Sequence, residues 1–384
     1  MRRSNTAKSL FVASLLGIGA IDDACGAGSD TALVDLGRAL FFDPNLSLNR
    51  NQSCATCHDP ARAFIDSRGN GVGGAVSLGD DGRSLGDRNA PGLTYVAPTP
   101  PLRRNADGAY EGGLFHDGRA RDLVDQAGQP MLNPREMNMP DAAAVVARIN
   151  DNPLYVAALR ELGATGSVDE TFTAVRGALA AFERTQLFSA YDSRYDRALR
   201  GELSLTREEE LGRMLFFSSL TNCSNCHVLD KTATDRREPF TSYRYFNIGV
   251  PPNVAVRSAN GRAATDRGLR DNPDIHDDAL AGKFRVPTLR NVAVTGPYMH
   301  NGVFRDLGTV LMFYNQYLAI NEQNLTNPET GRHWVAPEVP DTIDRDLLRT
   351  GLPLDDARIQ ALTAFLRALT DQRYEAILQA PPAP

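Results

Sequence analysis

Residues 49–64 read "NRNQSCATCHDPARAF", placing Cys54 and Cys57 two residues apart with His58 directly after them. Residues 222–228, "NCSNCHV", repeat the pattern at Cys223, Cys226 and His227. Two thiols at this spacing followed at once by an imidazole fit covalent haem c. The thiols add to the two vinyl groups, and the adjacent histidine reaches the iron from one side. A redox dithiol or a zinc half-site would use the same spacing once, whereas this chain uses it twice. Its fifth cysteine, Cys25, is the only other sulfur ligand of that kind. The spacing therefore predicts two c-type haems in one polypeptide.

Working outward, "LGRALFF" (36–42) precedes the first motif and "LGRMLFF" (211–217) the second. The chain reads as a tandem repeat in which a short helix with one apolar stripe leads into each haem loop. "SVDE" at 167–170 and "TREE" at 206–209 are capping boxes that start helices. Ile359, Leu362, Phe365, Leu366 and Leu369 trace the apolar face of a closing helix. Strand-like alternation is scarce. At 384 residues the chain exceeds the roughly 250–300 at which one core stops growing. The expected fold is mainly α, with two tandem cytochrome c-like haem domains and long loops, at residues 31–200 and 205–376. Gly69, Gly71 and Gly74 match a dinucleotide-binding glycine pattern, but no apolar strand precedes them and no amphipathic helix follows, so that reading is set aside.

Net charge is a modest −6, basic residues are nearly all Arg, and no basic block is interleaved with aromatics, which argues against a nucleic-acid partner. Residues 1–28 carry Arg2, Arg3 and Lys8, then an apolar run from Leu10 to Ile21, then small residues, the order of an export signal. The run is shorter than the ~20 residues a spanning helix needs. An uncleaved signal, or lipid attachment at Cys25, would associate the chain with the membrane. Asp22 and Asp23 disfavour the lipidation. The expected location is the periplasm.

Together with the haem motifs, "LGRALFFDPNLS", "DRNAPGL", "LFHDGRARDLVDQA", "NPREM" and "FRVPTLRNVAVTGPYMHNG" resemble the bacterial dihaem cytochrome c peroxidase and MauG family over residues 33–376. The resemblance implies that the first haem, held by His58, is the peroxide site. It implies that Gln126 and Glu136 are the distal catalytic groups and that Pro130 lines their pocket. Where the peroxidases carry a blocking histidine in "SLGH", this chain has "SLGD" with Asp80, so an open first iron is expected. The far ligand of the second haem, whose near ligand is His227, is expected at Tyr314, fourteen residues after His300. Met312 is the alternative. On a helix those two side chains point about 200° apart, so only one can face the haem. The inter-haem Trp of the family's "FWDGRA" is His116 here, which puts the family's relay in doubt. The sole tryptophan, Trp334, is expected to pack locally, with a relay or docking role as the alternative. The resemblance also implies calcium between the domains, bound by Asn89, Thr295 and Pro297 through oxygen, as a hard cation prefers.

The expected function is a periplasmic dihaem c peroxidase. It reduces hydrogen peroxide at the N-terminal haem with electrons passed through the C-terminal haem from a small c-type cytochrome. A MauG-like protein-modifying oxidase is the alternative within catalysis. A non-catalytic dihaem electron carrier is the alternative of another class.

Overall fold

The computed structural model describes residues 23–229, 237–318 and 321–379. Residues 1–22, most of the stretch 1–28 read as an export signal, and the Cys25 side chain lie outside it. The helices that frame the two cores and the space between them include α1 (Asp23–Phe41), α2 (Leu123–Leu132), α3 (Val168–Glu183), α4 (Arg194–Leu199), α5 (Arg207–Phe216), α6 (Leu307–Asn315) and α7 (Asp356–Ala368). Strands among the described residues form three antiparallel pairs, each strand two residues long, such as Tyr245–Phe246 with Phe284–Arg285. Long ordered loops connect the rest. Ser167 with Glu170, and Thr206 with Glu209, form the capping boxes that open α3 and α5. The Gly69–Gly74 stretch is a turn-rich loop that neither follows a strand nor opens a helix.

The repeat seen in the sequence is a repeat of helix crossings. In α1, a Cβ at Gly37 would fall 1.9 Å from the carbonyl oxygen of Ala178 and 2.9 Å from Cβ of Phe182, both on α3. In α5, a Cβ at Gly212 would fall 1.9 Å from the carbonyl oxygen of Ala361 and 2.8 Å from Cβ of Phe365, both on α7. Only glycine lets the two backbones approach so closely. The crossings superpose "LAAFER" (179–184) on "LTAFLR" (362–367). Each crossing anchors its own core. Leu40, Phe41, Phe64, Leu179, Phe182 and Phe188 lie in the first, and Leu215, Phe216, Phe240, Leu362, Phe365 and Leu369 in the second.

The segment expected to join the two domains packs mainly with the second core. The last residue of the first core is Phe188, whereas Tyr195 and Leu199 of α4, expected within the first domain, pack into the second core. The buried ion pair of Arg290 with Asp196, at 2.6 Å, draws α4 toward the second domain. A charge this deeply buried is held only with its partner in place.

Candidate active site

Each Cys-x-x-Cys-His motif forms a tight turn at the mouth of its core, Cys54–Cys57 as one helical turn and Cys223–Asn225 as a 3-10 turn. The four thiols are free. Burial pushes Cys54 up to about 12, with Glu183 as the next cause, and Cys57 up to about 11. Each pair stands beside its histidine, where the two vinyl groups of a haem would add to the sulfurs.

The histidines are oriented by one device used twice. Nδ1 of His58 lies 3.0 Å from the carbonyl oxygen of Phe64, and Nδ1 of His227 lies 2.9 Å from that of Phe240. A carbonyl can only accept, so Nδ1 carries the hydrogen and Nε2 keeps a lone pair for a metal, the usual outer support of a ligating histidine. Burial holds both imidazoles below their ordinary values, His227 at about 4, which keeps them neutral and able to ligate. Phe64 and Phe240 adopt left-handed backbone, φ 58° and 54°, an uncommon and costly state for a bulky residue. In each core the ring of that phenylalanine stands 6.2 Å from the phenylalanine of the Leu-Phe-Phe helix, Phe41 or Phe216. The sequence reading missed this pair, because any residue owns a carbonyl and the spacing from histidine to phenylalanine differs between the repeats.

One internal cavity of about 920 Å³ joins the motifs. Cys57, His58, Cys223, Cys226 and His227 all line it. Free thiols, tautomer-fixed imidazoles and a predominantly apolar wall, including Leu289, Leu311, Leu362 and Leu366, fit a haem at each end.

On the far side of the first motif, α2 and the loop after it bring Gln126, Pro130 and Glu136 to the cavity wall. The Glu136 side chain is half-buried, and desolvation raises its pKa, against the opposing effects of Arg119 and the Asn133 amide that donates to it at 2.7 Å. Asp80 is absent from this wall. Its carboxylate accepts from the Asn49 backbone nitrogen at 2.9 Å and the Asn49 side chain at 2.6 Å, within the loop that leads into the first motif.

On the far side of the second motif, Leu307, Val310, Leu311 and Tyr314 of α6 share the face that lines the cavity. Met312 does not line it. Burial, then Cys226 and Cys223, push the Tyr314 phenol up, so the hydroxyl shares a pocket with the second pair of thiols.

Between the two ends stand His116, Phe284 and His300. Nε2 of His116 lies 3.0 Å from the Asn89 carbonyl, and His300 stacks on Phe284 at 3.6 Å. Burial depresses His116 to about 4, so it is a neutral imidazole here. Asn89, Thr295 and Pro297 all reach the cavity wall. The Asn89 amide donates to Ala75, which leaves its side-chain oxygen available to a cation. Among the described residues no cluster of three or more His, Cys, Asp or Glu has metal-binding geometry, so a cation between the domains would rest on neutral oxygens of this kind. Trp334 lies outside the cavity wall, packed on Phe304 and Phe313. One further group escaped the sequence reading: Glu183, buried, with Oε2 lacking a hydrogen-bond partner. Its counterpart in the second domain is Leu366, a difference legible in "LAAFER" against "LTAFLR".

Residues 31–204 match the family described as di-haem cytochrome c peroxidase. The chain is 52% identical to methylamine utilization protein MauG of Paracoccus denitrificans (strain Pd 1222), covering 91% of this chain and 92% of that protein. This chain is a member of the dihaem cytochrome c peroxidase and MauG family. It is also 33% identical to cytochrome c peroxidase Ccp of Escherichia coli (strain K12) over 71% of this chain, which spans about half (51%) of that protein's length. Among solved structures the family includes the diheme peroxidase BthA from Burkholderia thailandensis E264, with a TM-score of 0.79 at 33% identity, covering 91% of this chain and 88% of that one. Membership implies an oxidoreductase carrying two c-type haems. Among the described residues no helix is long and apolar enough to cross a membrane.

Proposed function

We propose that the protein is a periplasmic dihaem peroxidase. It would cleave hydrogen peroxide at the first haem and pass electrons inward through the second, from a small c-type cytochrome. The observation that carries the reading is the far wall of the first site. A half-buried carboxyl, Glu136, and an amide, Gln126, line the same cavity as His58, while the one candidate blocking residue, Asp80, is engaged by Asn49. The haem would supply the iron that binds peroxide and stores oxidising equivalents. His58 holds the near side. Glu136 accepts a proton from the near oxygen and returns it to the far one, so that the departing group is water rather than hydroxide, while Gln126 orients the incoming molecule through its amide. Two electrons and two protons then complete the reduction of H₂O₂ to two waters. At the second site, His227 and Tyr314 would be the residues that hold the iron. A phenolate favours its oxidised states, suiting a centre that stores oxidising equivalents between transfers. Calcium on Asn89, Thr295 and Pro297 would fix the space between the two sites.

A MauG-like protein-modifying oxidase is the second reading, favoured by 52% identity to a MauG and by Tyr314 on the cavity wall. Steady-state turnover separates the two. A peroxidase oxidises two equivalents of a reduced small c-type cytochrome per peroxide over many cycles. Failure to consume reduced cytochrome, with oxidation appearing on a protein substrate instead, would overturn the first reading in favour of the second.

A further inference from the structure

We infer that Trp334 is the electron-donating side chain of the second haem site, passing an electron inward through Phe313 and Tyr314 and bringing the resulting positive hole close to the surface. The inference rests on the proposed reaction with peroxide. Trp334 is the sole tryptophan of the chain. Its ring meets Phe313 edge-on at 5.4 Å, and Phe313 meets Tyr314 at 6.1 Å, so two ring-to-ring steps connect the indole to the phenol on the cavity wall. Phe304, at 5.6 Å, supports the indole from another side. The backbone nitrogen of Trp334 donates to Leu325 at 3.0 Å and Nε1 to the carbonyl of Asn324 at 2.7 Å, which fixes the ring. The indole is half-buried and its neighbours His333 and Val335 are exposed, so it stands where the buried helix α6 meets solvent.

The chemistry selects this ring over its neighbours. Oxidising a phenol near neutral pH requires its proton to leave. The Tyr298 and Tyr317 hydroxyls donate to the carbonyls of Val292 and Ile248, which are not bases. An indole can lose an electron and keep its proton. With Nε1–H bonded to a carbonyl, the oxidised ring remains a cation radical. Each hydrogen peroxide takes two electrons and two protons to become two waters. One electron at a time comes from the indole, and the one-electron donor of the proposed reaction, a reduced small c-type cytochrome, refills it. The imidazole of His116, in the inter-haem space, is harder to oxidise than indole and is no substitute for it.

The test uses the holoprotein with its single tryptophan ring-deuterated, mixed with hydrogen peroxide, frozen within milliseconds and read by EPR. The expected result is an organic radical whose hyperfine width narrows on deuteration. In Trp334→Phe that signal is lost, both haem spectra are unchanged at rest, and the peroxide-oxidised state decays several-fold more slowly. The labelled wild type carries the test alone if the variant does not fold. A radical indifferent to the label, or no radical together with wild-type decay in the variant, would overturn the inference and leave the peroxide reading standing. No optical change on adding peroxide to the wild type would overturn both.

Discussion

The backbone nitrogen of Asp80 donates to the carbonyl of Glu136 at 2.8 Å, while the Asp80 carboxylate turns away to Asn49. Asp80 thus braces the backbone of the catalytic candidate, while its carboxylate is engaged away from the cavity wall.

The fully ferric protein is therefore expected to react with hydrogen peroxide without prior reduction. Stopped-flow mixing checks this. An inert ferric form that half-reduction awakens would mean another ligand closes the first site.

Glu136→Gln keeps the shape and removes the proton acceptor. The reaction with peroxide is expected to slow by about 10²- to 10⁴-fold, roughly 3–5 kcal/mol of barrier. The pH profile gives the sign. The carboxylate must accept first and burial raises its pKa, so the wild-type rate should climb with pH through a value above the ordinary carboxyl range. The variant should lose that limb. A variant at the wild-type rate would return Glu136 to the role of a wall residue.

At the second haem, Tyr314→Phe removes the only oxygen of that side chain. Its ferric EPR is expected to change from low-spin to high-spin while the first haem's signal stays. An unchanged spectrum would assign the far ligand elsewhere, with Met312 the first to test.

Glu183 offers a stability prediction. Burial raises its pKa from 4.5 to about 8, so between those values the folded chain keeps a proton that the unfolded chain has lost. Its contribution to stability is therefore greatest on the acidic side and declines as pH rises through 8. Replacing it by the residue of the other repeat, Glu183→Leu, should raise the melting temperature increasingly from pH 5 to pH 8. The buried histidines are common to both proteins and cancel in the difference. A difference that is flat with pH would mean the carboxyl is ionised and paired in the native state.

Much of the site was legible in the sequence because its chemistry is local. Covalent attachment fixes Cys54, Cys57 and His58 within one turn, and the helical period separates Tyr314 from Met312 without any tertiary knowledge. What stayed hidden depends on partners far along the chain. Tyr195 could have packed with either core, and its destination is set by residues such as Phe216, Phe240 and Phe365 that it meets only on folding. Glu183 looks like an ordinary polar position of a helix until folding buries it near Cys54. The carbonyls of Phe64 and Phe240 carry no sequence signature, since backbone geometry rather than side-chain type makes them supports.

Those two strained phenylalanines bear on how the two metal centres come to differ. Both imidazoles meet the same kind of acceptor at nearly the same distance, with the same tautomer and similarly buried rings. The carbonyl supports of the two histidines are thus alike, and a divergence in potential or reactivity is expected from groups that differ: Glu183 against Leu366 beside the cysteines, and Gln126 and Glu136 against Tyr314 on the cavity wall. On the proposed reading the division of labour lies largely in these distal walls. A chimera that exchanges those walls should exchange the tasks of the two irons, while the scaffold beneath them stays the same.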